Sequence, residues 1–203
     1  MVYSDAVNFL AQSDLILAQL IKQVGPCQLD RVQESGDLLS SLVRAILHQQ
    51  LSTKAAATIH RRFLQLYPDK PFPSATDILD TPDVTLRSVG ISRPKIIYLK
   101  NLAQKVLDDL PTLEELEKMD DESIIKTLTQ VKGIGRWTVQ MLLIFRMNRY
   151  DVLPVDDLGV RVGIKKVYGL DELPDRKTIE SLAQRLKPYC SIASWYLWRS
   201  LDK

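Results

Sequence analysis

The stretch Leu128-Thr-Gln-Val-Lys-Gly133-Ile-Gly135-Arg-Trp-Thr-Val-Gln-Met141 places two glycines two residues apart, between segments whose apolar residues recur with helical spacing. The pattern predicts a helix that ends near Thr129, a tight turn, and a second helix that begins near Arg136. Glycine lets the backbone turn sharply and approach a partner closely, and a helix start presents free N–H groups to anions. With Lys132 and Arg136 beside it, the turn predicts a phosphate-binding helical hairpin.

Charge is strongly segregated along the chain, although the net charge of the 203 residues is only +2. Residues 108–122 contain eight acidic residues and one basic residue, whereas residues 131–166 contain seven basic and three acidic ones. Such runs are often solvated helix faces. The alternative is a basic surface for a polyanion, with an acidic surface turned away from it. Composition does not choose between these explanations, and the motifs in the basic segment favour the second.

Helical periodicity extends over most of the chain, and proline or glycine separates the segments. We expect about ten short helices in an all-α fold of two tightly packed lobes. Helix starts are predicted at three places: Ser52 or Thr53, Asp121 or Ser123, and Asp175. Apolar stripes predict core faces, with these members: Leu38, Leu39, Leu42, Val43, Ile46 and Leu47; Leu99, Leu102, Ala103, Val106 and Leu107; Ile179, Leu182, Ala183 and Leu186.

Several protein classes are disfavoured by the composition. No apolar run approaches the length of a membrane span, and the first residues lack the pattern of a secretory signal. Two cysteines, Cys27 and Cys190, are too few for a disulfide framework or a four-cysteine metal site. We therefore expect an intracellular protein, in the cytoplasm of a prokaryote or the nucleus of a eukaryote.

A second motif, Leu153-Pro-Val-Asp156-Asp157-Leu, follows the hairpin after about twenty residues. An aspartate at a helix start is usually an N-cap, but two adjacent aspartates exceed what capping requires. Together, the hairpin and this motif resemble the helix-hairpin-helix–Gly/Pro–Asp superfamily of DNA glycosylases. The branch that the chain resembles most is that of the alkylpurine (3-methyladenine) DNA glycosylases.

Two further stretches are similar to motifs of that branch. They are Leu42-Val-Arg-Ala-Ile-Leu-His-Gln-Gln-Leu-Ser-Thr-Lys-Ala-Ala56, a helix junction, and Lys187-Pro-Tyr-Cys-Ser-Ile-Ala-Ser-Trp-Tyr-Leu-Trp-Arg199, near the C-terminus. The resemblance implies one helical core over residues 1–203, with lobes of about 35–110 and 111–170 around a cleft and the terminal segments packed as one lobe. It also implies a monomer that binds double-stranded DNA with alkylated bases.

The resemblance assigns the catalytic role to Asp157, because the family pattern has valine or isoleucine three residues later and Val160 occupies that position. Asp156 then fits an N-cap or supporting role. A carboxylate stabilises an oxocarbenium-like transition state and orients or deprotonates the attacking water. A purine alkylated at N3 or N7 already carries positive charge, so it leaves neutral and needs no second carboxyl group.

Residues that the chain lacks indicate which reaction is expected. Relatives that also cut the strand have a lysine two residues after the second hairpin glycine, where this chain has Trp137. A monofunctional glycosylase without lyase activity is therefore expected. Only Cys190 lies near the C-terminus, so an iron–sulfur cluster is not expected. No cofactor is required, but the resemblance implies a Na⁺ or K⁺ ion on the hairpin, held by the backbone carbonyls of Thr129, Val131 and Ile134.

An enzyme of the family that the chain resembles must also extrude the damaged nucleotide and enclose its base. The resemblance places the side chain that fills the gap at Gln50, with Leu51 as the alternative and Ser52 lining the minor groove; an ordinary turn between helices remains the simpler interpretation. The hairpin residues predicted to contact DNA are Lys132, Gly133, Ile134, Gly135 and Arg136. Aromatic residues attract a cationic base, and the predicted pocket members are Trp198, Trp137 and Tyr189, whereas core packing is favoured for Trp195.

Two other functions remain open from the sequence. The chain is a non-catalytic module that binds damaged DNA through its hairpin, or it is an oxidised-base glycosylase-lyase. Asp157 argues against the first alternative and Trp137 against the second.

Overall fold

A computed structural model describes residues 3–32 and 36–202. Within these ranges the chain forms α-helices, one short 3₁₀ helix at Leu29–Val32, and no strand. The helices are α1 Ser4–Ser13, α2 Leu15–Val24, α3 Leu38–His48, α4 Thr53–Leu64, α5 Ala75–Asp80, α6 Asp83–Ser88, α7 Arg93–Asp108, α8 Leu113–Glu117, α9 Asp121–Leu128, α10 Arg136–Phe145, α11 Leu158–Tyr168, α12 Arg176–Ala183 and α13 Cys190–Arg199. The predicted all-α fold is confirmed.

Side-chain caps set most of the predicted helix starts. Ser52 accepts a hydrogen bond from the N–H of Ala55 at the start of α4, and Asp175 caps α12. α9 begins at Asp121, one of the two predicted starts, and its N-cap is Asp120. The Asp120 carboxylate accepts hydrogen bonds from the N–H and the hydroxyl of Ser123, which fixes this boundary.

The chain divides into two compact units. Unit 1 comprises residues 1–34 and 140–203, and unit 2 comprises residues 35–139. In unit 2, α7 packs against α3, α5 and α6. All six residues of the predicted α3 stripe are buried, as are Leu99, Leu102 and Ala103 of α7. Leu107 is exposed, contrary to the prediction, because it lies in the last turn of α7.

Unit 1 is organised around α13, whose residues Cys190 to Leu197 are all buried. This helix packs against α1, α2 and α11. The buried carboxylate of Asp14 caps α2 and also accepts a hydrogen bond from the Tyr168 hydroxyl at 3.0 Å. Arg185 approaches the same carboxylate at 3.2 Å, so one buried acid links α2, α11 and the segment after α12.

None of the helices in the described ranges combines the length and the apolar character that a membrane span requires.

Candidate functional site

The hairpin turn, residues 129–135, joins α9 to α10 as predicted. α9 ends at Leu128 with Thr129 as its C-cap, and Val131 accepts a backbone hydrogen bond from Ile134. Gly133 has a φ of +84°, a conformation that side chains disfavour. A Cβ atom there would lie 2.3 Å from the ring of Tyr98 on α7, so this glycine is required by the protein's own packing.

Gly135 differs from Gly133 because no contact within the protein requires a glycine at this position. A Cβ atom at this position would meet no atom within 4 Å, and its φ is not in the left-handed region. Gly135 is exposed, and its carbonyl accepts the first backbone hydrogen bond of α10 from Val139. An exposed glycine at a helix start leaves room for an external group to approach the backbone.

Arg136 forms a bidentate ion pair with Glu122, with N–O distances of 2.8 and 2.5 Å. The guanidinium group lowers the pKa of the Glu122 carboxyl group. We expected the acidic run, residues 108–122, to face away from the basic segment. This is wrong for Glu122, the last residue of the run. The turn of the hairpin brings the start of α9 beside the start of α10, so Glu122 reaches Arg136 across a separation of 14 residues.

The wedge loop, residues 49–52, connects α3 to α4. Gln50 is exposed and has a φ of +55°, which is unusual for a residue other than glycine and carries conformational strain. Leu51 is 41% exposed, and Ser52 caps α4. Both predicted wedge residues thus project from a short, strained loop.

Gln49 was not predicted to have a role, and it links the wedge loop to the hairpin turn. Its side-chain amide donates a hydrogen bond to the carbonyl of Gly133 at 2.7 Å. The two residues are 84 positions apart in the chain, so no local pattern could have revealed the contact.

Asp157, in unit 1, is the N-cap of α11. Its Oδ1 atom accepts a hydrogen bond from the backbone N–H of Val160 at 2.7 Å and another from the indole N–H of Trp198 at 2.8 Å. The carboxylate is therefore held by the positive end of a helix and by a neutral donor. The structure brings together two residues that the sequence predicted for different roles.

Asp156 does not cap α11, so that part of its predicted role is wrong. It is exposed, lies in the turn before the helix, and approaches Arg176 at 3.5 Å. Asp157 has the extended conformation of a capping residue, and its side chain reaches Val160. The supporting role of Asp156 stays a prediction.

Two glycines of α11 allow α13 to approach Asp157 closely. A Cβ atom on Gly159 would lie 2.9 Å from the Trp198 ring and 3.0 Å from Oδ1 of Asp157. One on Gly163 would lie 2.6 Å from the carbonyl oxygen of Leu197. Glycines four residues apart on one helix face therefore leave the space that the Trp198–Asp157 hydrogen bond needs.

The remaining aromatic residues differ in exposure. Trp195 is 6% exposed, which confirms core packing, whereas Trp137 is 46% exposed at the start of α10. Trp198 is half-buried and stacks on Phe145 at 5.6 Å between ring centroids. Tyr189 is half-buried beside Phe9 and Tyr150. The pocket roles of Trp137, Trp198 and Tyr189 stay predictions.

The hairpin carbonyls of Thr129, Val131 and Ile134 are oxygen donors, which suit a hard monovalent cation. The Val131 carbonyl accepts one hydrogen bond, from Ile134, and a carbonyl oxygen has a second lone pair. Within the described ranges, no cluster of three histidine, cysteine, aspartate or glutamate residues suits a metal ion.

The chain is similar to known proteins over most of its length. The family model of the HhH-GPD superfamily of base excision DNA repair proteins matches residues 43–188. The chain is similar to DNA-3-methyladenine glycosylase 1 of Schizosaccharomyces pombe, with 39% identity over 183 residues covering 90% of this chain and 80% of that protein. It is 34% identical to the alkylbase DNA glycosidase-like protein mag2 of the same organism, covering 97% of this chain and 93% of that one.

The fold is also similar to a solved structure of the Schizosaccharomyces pombe 3-methyladenine DNA glycosylase Mag1 in complex with abasic DNA. The TM-score is 0.88 with 38% sequence identity, and the match covers 97% of this chain and 96% of that chain.

The two hairpin glycines should respond differently to alanine. Gly133→Ala should lower the free energy of unfolding by about 2 kcal/mol or more, because it combines a left-handed φ with a clash against Tyr98. Gly135→Ala should stay within about 0.5 kcal/mol of wild type. Urea unfolding followed by circular dichroism measures both, and equal destabilisation would contradict this distinction.

Gly159→Ala should displace the Trp198 indole from Asp157. The chain has three tryptophans, so a ¹H–¹⁵N spectrum contains three indole N–H signals. We expect the Trp198 signal to move upfield and to exchange faster with solvent, because a charge-assisted hydrogen bond is lost. Leu158→Ala, at an exposed neighbouring position, is the control. An unchanged Trp198 signal in Gly159→Ala would show that the close packing is not needed.

Proposed function

The chain belongs to the HhH-GPD superfamily of base excision DNA repair proteins, and we propose that it is a monofunctional DNA glycosylase that releases alkylated purines such as 3-methyladenine and 7-methylguanine. The observation that carries the proposal is the Asp157 carboxylate, which two donors fix at the start of α11. The names of the two Schizosaccharomyces pombe relatives support the substrate class.

Hydrolysis of the N-glycosidic bond develops positive charge on the deoxyribose, and Asp157 supplies the compensating negative charge. The N–H groups of Val160 and Trp198 both donate to Oδ1, which fixes the plane of the carboxylate. We assign this carboxylate to the anomeric carbon and the attacking water. A preorganised carboxylate avoids the reorganisation that water would undergo around the same cation.

The departing base sets the substrate class. When the glycosidic bond breaks, its electron pair neutralises the positive charge of the alkylated purine, so the base leaves without protonation. A single carboxylate therefore suffices for these substrates, unlike O-glycoside hydrolysis, which uses two. The water oxygen bonds to the anomeric carbon and its proton passes to Asp157 or to solvent.

We expect no strand cleavage by a lyase step, because the residue at position 137 is a tryptophan. A Schiff base with the abasic sugar needs an amine, and Trp137 has none. Its exposed indole instead offers a face to a cationic base. Trp198 has one face against Phe145, so only its other face is available to the base. A contact between Tyr189 and the base stays a prediction.

We assign double-stranded DNA as the partner, with its phosphates at Lys132, Gly135 and the first turn of α10. Insertion of Gln50 or Leu51 fills the space of the extruded nucleotide, and Ser52 faces the minor groove. The open space at Gly135 supports this assignment. A Na⁺ or K⁺ ion on the hairpin carbonyls would add positive charge beside a phosphate. Action as a monomer inside the cell stays a prediction.

A non-catalytic function in damage recognition is the second candidate. The observation that favours it is the 34% identity to a relative whose name says only that it is glycosidase-like. The two functions differ in one product, the released base.

Asp157→Asn should lower the single-turnover rate of base release from methylated duplex DNA by about 100-fold or more, because it removes the charge that stabilises the cationic transition state. Alkaline cleavage of the abasic product on a gel measures the rate. Asp156→Asn, which removes the same charge from an exposed neighbour, should retain most of the activity. Equal rates for wild type and Asp157→Asn would contradict the mechanism, and no release by wild type would favour the non-catalytic function.

Removing Glu122 should tighten DNA binding, because its carboxylate competes with a phosphate for the Arg136 guanidinium group and repels the DNA backbone. We expect Glu122→Gln, combined with Asp157→Asn, to bind duplex DNA about two- to fivefold more tightly than Asp157→Asn alone at low salt. Glu114→Gln is the control, since it removes an exposed charge from α8. Fluorescence anisotropy over a salt series measures both affinity and its steep salt dependence. A DNA affinity that does not change with salt, or equal effects of Glu122→Gln and Glu114→Gln, would contradict the assignment of the hairpin as a basic DNA-binding surface.

A further inference from the structure

Lys95, in the first turn of α7, holds the end of α3. Its ammonium group donates hydrogen bonds to the carbonyls of Leu47 and Gln49, each at 2.8 Å. The last carbonyls of a helix have no intrahelical partner and lie at the negative end of the helix dipole. A cation at this position is therefore favourable, and it fixes the residue that opens the wedge loop.

The second attachment of the wedge loop runs through Gln49 itself. Its carbonyl accepts from Lys95, while its side-chain amide donates to the carbonyl of Gly133 in the hairpin turn. One residue therefore connects α7, the wedge loop and the hairpin turn. Gln50 follows at once in its strained left-handed conformation, so the attachment of Gln49 determines where Gln50 points.

α7 also holds the hairpin turn directly. The ring of Tyr98 lies against Gly133, and the side chain of Asn101 accepts a hydrogen bond from the N–H of Lys132 at 2.8 Å. Lys95, Tyr98 and Asn101 are spaced by three residues, so they share one face of the helix over about 9 Å. This positioning stripe, Lys95–Tyr98–Asn101, contacts the wedge loop at one end and the hairpin turn at the other.

The environment of Lys95 suits an internal contact more than a phosphate contact. The side chain is half-buried, and burial lowers the pKa of its ammonium group. Two of its three donors are used by the carbonyls of α3 and the wedge loop.

We propose that Lys95 is a positioning residue for nucleotide extrusion, which fixes the wedge loop relative to the hairpin turn without contacting DNA. The proposal rests on the proposed function, which requires the damaged nucleotide to leave the helix. With the loop fixed, phosphate binding at the hairpin turn and insertion of Gln50 or Leu51 occur on one rigid frame. Without Lys95 the loop must be ordered anew in each encounter, at a cost in conformational entropy.

The test uses a duplex with 2-aminopurine stacked beside a tetrahydrofuran abasic analogue, because insertion of the wedge unstacks the probe and raises its fluorescence. The substitution is Lys95→Met, which keeps the apolar stem and removes the donors. Wild type should raise the fluorescence, and Lys95→Met should weaken the fluorescence-detected affinity about tenfold, as expected for losing hydrogen bonds to an ordered loop. Lys95→Arg, which restores donors, should recover most of the signal.

Two matched substitutions separate positioning from charge. Lys105→Met removes a half-buried lysine from the far end of α7 and should behave as wild type. Lys132→Met should reduce the magnitude of the logarithmic salt slope by about 0.9, the value for one phosphate contact, whereas Lys95→Met should leave the slope unchanged. Equal effects of Lys95→Met and Lys105→Met would overturn the proposal. So would a reduced salt slope in Lys95→Met, or a wild-type protein that does not unstack the probe.

A second variant covers the case in which Lys95→Met does not fold. Gln49→Leu removes only the bond to Gly133, and it should also weaken the 2-aminopurine response without changing the salt slope. A normal response in this variant would overturn the link between the wedge loop and the hairpin turn. The readout needs no base release, so unstacking by a wild type that excises nothing would refute the proposed function and leave the role of Lys95 standing.

Discussion

The Oδ1 atom of Asp157 accepts hydrogen bonds from the start of α11 and from Trp198 of α13, and the packing of these two helices is adapted to that geometry. Gly159 and Gly163 let α13 approach α11 to a distance that any side chain would prevent. Phe145 supports the other side of the indole. The proposed catalytic carboxylate is thus oriented by core packing, which is rigid because protein interiors are densely packed.

In unit 2, a packed helix likewise positions functional residues, here those of the wedge loop and the hairpin turn. α7 packs into the core through Leu99 and Leu102, while another of its faces holds the wedge loop and the hairpin turn. Binding and catalytic residues commonly lie on loops that a rigid scaffold positions, and here one helix positions two of them. The ion pair with Glu122 partly neutralises the positive charge of Arg136 on the hairpin. A reduced positive charge weakens binding to phosphates, which suits an enzyme that must release DNA and search further.

The sequence predicts local features well and long-range ones poorly. The two hairpin helices, the buried stripe of α3 and the caps Ser52 and Asp175 follow from short-range patterns. The catalytic role of Asp157 follows from a family motif. The contacts of Lys95 span 46 and 48 residues, that of Gln49 spans 84, and the Asp157–Trp198 bond spans 41. Only the folded chain brings such residues together. The need for glycine at Gly159 and Gly163 is likewise visible only once α13 is packed against them.

In the proposed mechanism, one oriented carboxylate suffices because the alkylated base leaves without protonation. The pH dependence of the single-turnover rate, measured on 7-methylguanine duplexes at saturating enzyme, tests this most directly. A mechanism with one catalytic carboxylate predicts a single ascending limb followed by a plateau that extends to pH of about 9. A bell-shaped profile, with a descending limb within that range, would reveal a required general acid and contradict the claim.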